Sequence, residues 1–215
     1  MCPVREIAND RLELVYAGDM AWDTEQTQRQ LLDAGATLFA RHGYSGTTMD
    51  AIGRESGVNK ERVYSYFGSK SGFFAAVLDE QLTNLLEALP ITGEGPTAVG
   101  HYALALFDRL EARPELARLL AWESLELTEA VAVECRTDSC AALAAGLRGA
   151  LPGTSQDRAE QLLLSVVTLV VGWWTLSRVA DTILSGDTTP QTRRETLRQN
   201  AEALAAGGAV SAATA

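Results

Sequence analysis

Gly43-Tyr44-Ser45-Gly46-Thr47-Thr48-Met49-Asp50-Ala51-Ile52-Gly53-Arg54-Glu55-Ser56-Gly57-Val58-Asn59-Lys60-Glu61-Arg62-Val63-Tyr64-Ser65-Tyr66-Phe67-Gly68-Ser69-Lys70 is the stretch whose reading decides the fold. Thr47-Thr48-Met49-Asp50 carries a capping-box pattern, so it opens a short helix that Gly57 ends. Asn59 is a good N-cap for a second short helix reaching about Phe67. Gly68 breaks the chain, and Ser69 caps a long helix with apolar Phe73, Phe74, Val77, Leu78, Leu82, Leu85 and Leu89. Two short helices joined by a tight turn at Gly57-Val58 form a helix-turn-helix pattern, whose second helix can enter a DNA major groove. At about 100° per residue, Val63 and Phe67 share the core-facing stripe of that helix. Glu61, Arg62 and Ser65 point away from it, with Lys60 and Tyr64 on one flank and Tyr66 on the other.

Outward from this stretch the pattern stays helical. Upstream, Asp23 with Gln26 forms another capping-box pattern, and Leu31, Leu32, Leu38 and Phe39 recur at helical spacing until Gly43 supplies a stop. Residues 1–23 carry no assignable element; Leu12–Tyr16 is the nearest strand candidate. Downstream, Pro90–Pro96 reads as a linker. Helices follow at about 97–112, from Pro114 through Trp122, at 128–151, at 155–184 and at 190–206. The expected fold is all-α: an extension over 1–23 that is left unstructured, a three-helix unit over 24–70, a helical unit over 71–206 and a flexible tail over 207–215.

Composition limits the function classes. The 215 residues are 47% hydrophobic and 21% charged, which excludes a mostly disordered chain, a collagen-like repeat and a disulfide mini-protein. The net charge of −10 argues against a nonspecific nucleic-acid coat. It is unevenly spread: residues 24–70 have net charge +1, against −3 for 1–23 and −8 for 71–215. Both lysines, Lys60 and Lys70, lie in that non-acidic segment. Three cysteines (Cys2, Cys135, Cys140) and the lack of an apolar leader fit a reducing cytoplasm. Cys135 and Cys140 point in different directions on one helix, so no bridge is expected. The uncharged run Gln161–Ser177 is a buried or interface helix rather than a membrane span.

Enzyme readings find no support. Gly93-x-Gly95-x-x-Ala98 lacks the strand that a dinucleotide fingerprint needs and contains Pro96. No Walker loop, no His-Glu-x-x-His and no Gly-x-Ser-x-Gly is present. With two histidines there is no metal set and no implied cofactor.

Residues 31–78 resemble the DNA-binding domain of the TetR (tetracycline repressor) family of one-component bacterial regulators. The resemblance rests on Leu31-Leu32-Asp33-Ala34-Gly35-Ala36-Thr37-Leu38-Phe39, Gly43–Ile52, Gly57-Val58-Asn59-Lys60 and Val63-Tyr64-Ser65-Tyr66-Phe67-Gly68-Ser69-Lys70. The Tyr-x-Tyr-Phe-x-Ser-Lys run is its most specific part. It implies a double-stranded DNA operator, an imperfect palindrome, as partner. The implied contact residues are Thr47, Thr48, Asn59, Lys60, Glu61, Arg62, Tyr64, Ser65, Tyr66 and Lys70. Together with helix geometry, the resemblance implies base-edge contacts for Lys60 and Arg62, and phosphate contacts for Thr48, Tyr64, Tyr66 and Lys70.

Gly53, Asn59, Glu61 and the N-terminal extension depart from the family; Asn59 replaces the common serine and caps equally well. Gly53 stands where alanine is usual and should weaken its helix by up to about 1 kcal/mol. Glu61 on the reading face either accepts from a cytosine amino group or repels phosphate. Residues 1–19 are either an arm, with Arg5 and Arg11 for a minor groove, or precede the true start at Met20.

In this family the C-terminal helices form a homodimer and enclose a ligand pocket. The implied dimer helices here are those near 155–184 and 190–206, with Gly172 permitting close approach of a partner helix. Candidate pocket residues are Tyr102, Phe107, Trp122, Glu123, Glu126, Cys140, Trp173 and Trp174. An unidentified small hydrophobic effector is expected. The acidity of 71–215 either attracts a cationic one, through Glu123 or Glu126 beside Trp122, or only keeps the protein soluble. The reading is a homodimeric, ligand-responsive repressor; the alternative is a helical interaction protein whose DNA binding has decayed.

Overall fold

A computed structural model describes residues 6–212 apart from 87, 88, 132, 185 and 187, with the backbone alone for 6–23, 86, 134, 135 and 208–212. The described residues form helices and turns without strands. The order is α1 (Glu6–Gly46), α2 (Met49–Ser56), α3 (Lys60–Phe67), α4 (Lys70–Leu86), α5 (Gly95–Ala112), α6 (Pro114–Glu126), α7 (Val133–Ala150), α8 (Gln156–Thr175), α9 (Ser177–Ile183) and α10 (Pro190–Ala212). The chain divides into two compact units, one up to Val77 and one from Leu78 on, so the division falls within α4 rather than at residue 70. Phe73, Phe74 and Val77 belong to the first core, which is why that unit extends into α4.

The first unit closes around aromatic rings. Phe39 lies 4.9 Å from Phe74 and 5.9 Å from Phe73, and Phe73 lies 4.9 Å from Phe67, all centroid to centroid. Leu31, Ile52 and Val63 are fully buried with them. Gly35 lets α4 lie close to α1: a Cβ there would stand 2.7 Å from both Phe73 and Val77.

In the second unit α5 packs along α10, and α8 packs on α5, α6, α7 and α10. Val99, Ala103, Phe107, Leu119, Leu147, Val170 and Leu197 are at its centre. Arg194 forks onto both carboxylate oxygens of Asp108 at 2.6 and 2.7 Å, tying α10 to α5.

Four expected boundaries differ. α1 does not start at Asp23; its backbone is helical from Glu6. After Pro3 nothing but Gly18 interrupts that stretch before Gly35, so no breaker stops it. The capping reading of Asp23 and the minor-groove reading of Arg5 and Arg11 concern side chains outside the described residues. α7 starts at Val133 rather than Thr128, because Glu123 takes the N–H of Val131 at 2.8 Å and holds the preceding loop. The expected single helix over 155–184 is two, α8 and α9, bent by 86° at Leu176. The Thr175 hydroxyl donates back to the Val171 carbonyl at 3.3 Å, a bond that loosens the last turn of α8. α10 passes its expected end at 206 and continues to Ala212. Among the described residues no single helix is long and apolar enough to cross a membrane.

Candidate nucleic-acid interface and ligand cavity

The caps that place the reading helix are local and well formed. The Thr48 hydroxyl accepts from Ala51 N–H at 3.2 Å and opens α2. Gly57, at φ +71°, closes α2 in the left-handed region that a side chain resists. Asn59 Oδ1 accepts from Glu61 N–H at 3.2 Å and opens α3. Ser69 Oγ accepts from Gly72 N–H at 3.0 Å and opens α4. Each cap leaves a side-chain donor: the Thr48 and Ser69 hydroxyl protons and the Asn59 amide. The N-termini of α2 and α4 therefore present donors to any phosphate laid against them.

Val63 turns into the core and is fully buried, while Lys60, Glu61, Arg62, Tyr64 and Ser65 are exposed and Tyr66 is half-buried. The Lys60 ammonium lies 3.0 Å from the Asp50 carboxylate on α2, and that pair raises the lysine pKa. The Arg62 guanidinium lies 6.0 Å from the centre of the Tyr66 ring. The Lys70 ammonium lies 4.6 Å from the Tyr44 ring centre and 3.5 Å from the Ser45 carbonyl. Neither Asp50 nor Tyr44 is among the contact residues expected from sequence. Their partners are ten and 26 residues away, so only the packed fold brings them together.

Thr47 corrects the expected contact set. It is 1% exposed, and its hydroxyl donates to the carbonyls of Gly43 (2.8 Å) and Leu38 (3.1 Å). Gly43 leaves helical geometry at φ +74°, which frees those carbonyls for a side-chain donor. Thr47 therefore locks the end of α1, and Thr48 alone of the pair faces outward.

Gly53 also reads differently in three dimensions. A Cβ at this position would stand 2.8 Å from the Val58 carbonyl oxygen, a backbone atom of the turn. The glycine lets α2 and the turn meet, and that close approach outweighs its low helix propensity.

The second unit contains a cavity of about 150 Å³ lined by Leu82, Leu85, Tyr102, Leu106, Leu110, Leu120, Arg136, Cys140, Leu143, Leu163, Val167 and Val171. Of the eight expected pocket residues, Tyr102 and Cys140 line it. Phe107 is buried against Trp174, with ring centres 5.0 Å apart. Trp173 sits under the Arg193 guanidinium at 5.4 Å, in an open apolar groove on α8 and α9. Trp122 and Glu126 are half-buried away from the cavity lining.

Glu123, one of the two carboxylates named for a cationic effector, is already paired. Its Oε1 accepts from Arg136 Nη1 at 2.7 Å and from Val131 N–H at 2.8 Å, and the side chain is 7% exposed. A carboxylate already paired in this way is not open to a ligand cation. Arg136 was missed because only the fold brings it, from 13 residues away, to Glu123.

A capped helix-turn-helix with a polar outward face, followed by a separate helical unit, defines a helix-turn-helix transcriptional regulator. Residues 31–77 match the family model of bacterial regulatory proteins, tetR family, and residues 98–202 match the tetracyclin repressor-like C-terminal domain. The chain belongs to the TetR family. It is 37% identical over 106 residues to the HTH-type transcriptional repressor SCO4008 of Streptomyces coelicolor, covering 49% of this chain and 54% of that one. It is 29% identical over 154 residues to the HTH-type transcriptional activator FasR of Mycolicibacterium smegmatis, covering 68% of this chain and 70% of that one. The match thus spans about half the length of the first relative. The crystal structure of the transcriptional regulator SCO4942 from Streptomyces coelicolor superposes with a TM-score of 0.66 at 28% identity, covering 83% of this chain and 97% of that one.

Proposed function

We propose that this regulator is a homodimeric repressor that reads an imperfectly palindromic operator through α3 and leaves it when a small apolar molecule binds. The observation that carries the reading is the sorting of side chains on α3. Val63 is wholly buried, while Lys60, Glu61, Arg62, Tyr64 and Ser65 are all exposed. Lys60 and Arg62 contact base edges, with guanine O6 and N7 as the natural acceptors. Thr48, Asn59, Tyr64, Tyr66 and Lys70 hold phosphates and set the register. Lys70 must leave Tyr44 or bridge from it to do so. Glu61 favours a cytosine amino group.

The dimer reading rests on uncovered apolar side chains along α8, α9 and α10. Leu164, Leu176, Val179, Ile183, Leu184 and Leu204 are between 38% and 73% exposed. A Cβ at Gly172 would meet only Leu176, at 4.0 Å, so that side of α8 is open to a partner helix. Such a surface is unusual on a monomer and fits a second copy of the chain.

For the switch, the ligand must bind one dimer geometry better than the other; equal affinity for both shifts nothing. Repression is preferred over activation on the resemblance to SCO4008. A salt titration of operator binding tests the reading. Specific binding should weaken steeply with salt, as contacts to several phosphates require.

A further inference from the structure

From the cavity between α4, α5, α6, α7 and α8 we infer that the effector is an uncharged molecule of about one aromatic ring with a hydroxyl or carbonyl group, held by the Tyr102 hydroxyl. This deepens the ligand-responsive reading above and rests on it. Tyr102 is 3% exposed, and its hydroxyl oxygen finds no hydrogen-bond partner among the described residues. Tyr102 and Cys140 both line the cavity. Burial pushes the ionisation of the Tyr102 hydroxyl well above the ordinary tyrosine range, so it stays a neutral donor and acceptor. A buried hydroxyl without a partner is costly, and a ligand that supplies one relieves that cost.

The remaining wall fixes the rest of the chemistry. Nine of the twelve lining residues are leucine or valine, so the body of the ligand is apolar. The volume of about 150 Å³ is the size that admits benzene in an apolar protein cavity. A charged ligand meets an ion pair that is already made. A cation finds the Glu123 carboxylate already taken by Arg136 and Val131. An anion at Arg136 competes with the Glu123 carboxylate and the Val131 carbonyl that Nη1 already serves. Cys140 is solvent-exposed and also lines the cavity, which gives a way in.

Four probes of one size separate these terms: benzyl alcohol, benzoate, benzylammonium and toluene, each titrated into the full-length protein by calorimetry. Benzyl alcohol is expected to bind most tightly. Tyr102→Phe should weaken it about 3- to 10-fold, the range of one hydrogen bond, and leave toluene unchanged. The same variant should raise the melting temperature of the ligand-free protein, because an unpartnered buried oxygen is removed. Tighter binding of benzoate or benzylammonium, no binding by any probe, or unchanged alcohol affinity in Tyr102→Phe would overturn the assignment. Operator affinity is read separately. Binding of benzyl alcohol through Tyr102 with no change in DNA affinity supports this assignment and removes the coupling proposed above.

Discussion

Lys60 on the reading helix and Asp50 on the helix before it form an ion pair of 3.0 Å across the helix-turn-helix. Both side chains are about half exposed or more, so the pair adds little to stability. Its consequence is for DNA binding, because Asp50 competes with the operator for the Lys60 ammonium. Asp50→Ala should leave the melting temperature nearly unchanged. It should tighten DNA binding and steepen the salt dependence by up to about one unit. Fluorescence anisotropy over a range of salt concentrations measures this; weaker binding by Asp50→Ala would show that Asp50 helps to position α3.

Thr47 and Thr48 should separate cleanly. Thr47→Val strands the Gly43 and Leu38 carbonyls in a buried place and should cost about 1–3 kcal/mol of stability. Thr48→Ala removes a cap worth about 1 kcal/mol. Urea denaturation gives both values. At temperatures where both variants are folded, Thr48→Ala should lose more DNA affinity than Thr47→Val.

The two threonines show where sequence reading works and where it stops. Caps at Asn59, Gly57 and Ser69 are set by neighbours two to four residues away, so a single strand of letters is enough to find them. Thr47 has an N-cap's chemistry, but the fold buries it against carbonyls of α1, and burial is a tertiary fact. The same holds for Glu123, whose carboxylate reads as a ligand site until Arg136 is brought beside it. The bend at Leu176 carries no proline or glycine at the break, so the run through 155–184 reads as one helix. The helix-turn-helix was legible because its signals are local; the pocket was mostly not, because Leu82, Leu110, Arg136 and Leu163 meet from distant parts of the chain.

Gly53→Ala opposes two principles directly. Helix propensity favours alanine by up to about 1 kcal/mol. Geometry disfavours it, since the Cβ would stand 2.8 Å from the Val58 carbonyl oxygen. A backbone atom in a tight turn yields less readily than a flexible side chain, so the variant should melt lower than the parent. A rise in melting temperature would show that α2 and the turn can separate at low cost.

Glu123→Ala should destabilise the protein by about 3 kcal/mol or more, because Arg136 loses its partner in a largely buried setting. Glu123→Gln keeps an oxygen for Val131 N–H and should cost less. Thermal denaturation of both variants tests this ranking.

The interface is best probed at exposed positions. Val170 is fully buried within its own subunit, so Val170→Asp would unfold the chain rather than part a dimer. Ile183, 73% exposed, is the better site. Ile183→Asp should retain the parent's helical circular dichroism, run as a monomer by light scattering and lose operator affinity by about 100-fold or more as the second half-site is released. Full affinity in a stable monomer would rule out the two-fold arrangement.

The central claim is that the exposed face of α3 reads DNA sequence. It is tested most directly by selecting bound DNA from a random pool with the full-length protein and with Lys60→Ala and Arg62→Ala. The parent should enrich one imperfect palindrome whose half-sites lie about a helical turn or more apart, and each variant should relax one position per half-site. An enriched motif that both variants leave unchanged, or no enriched motif from folded parent protein, would contradict it.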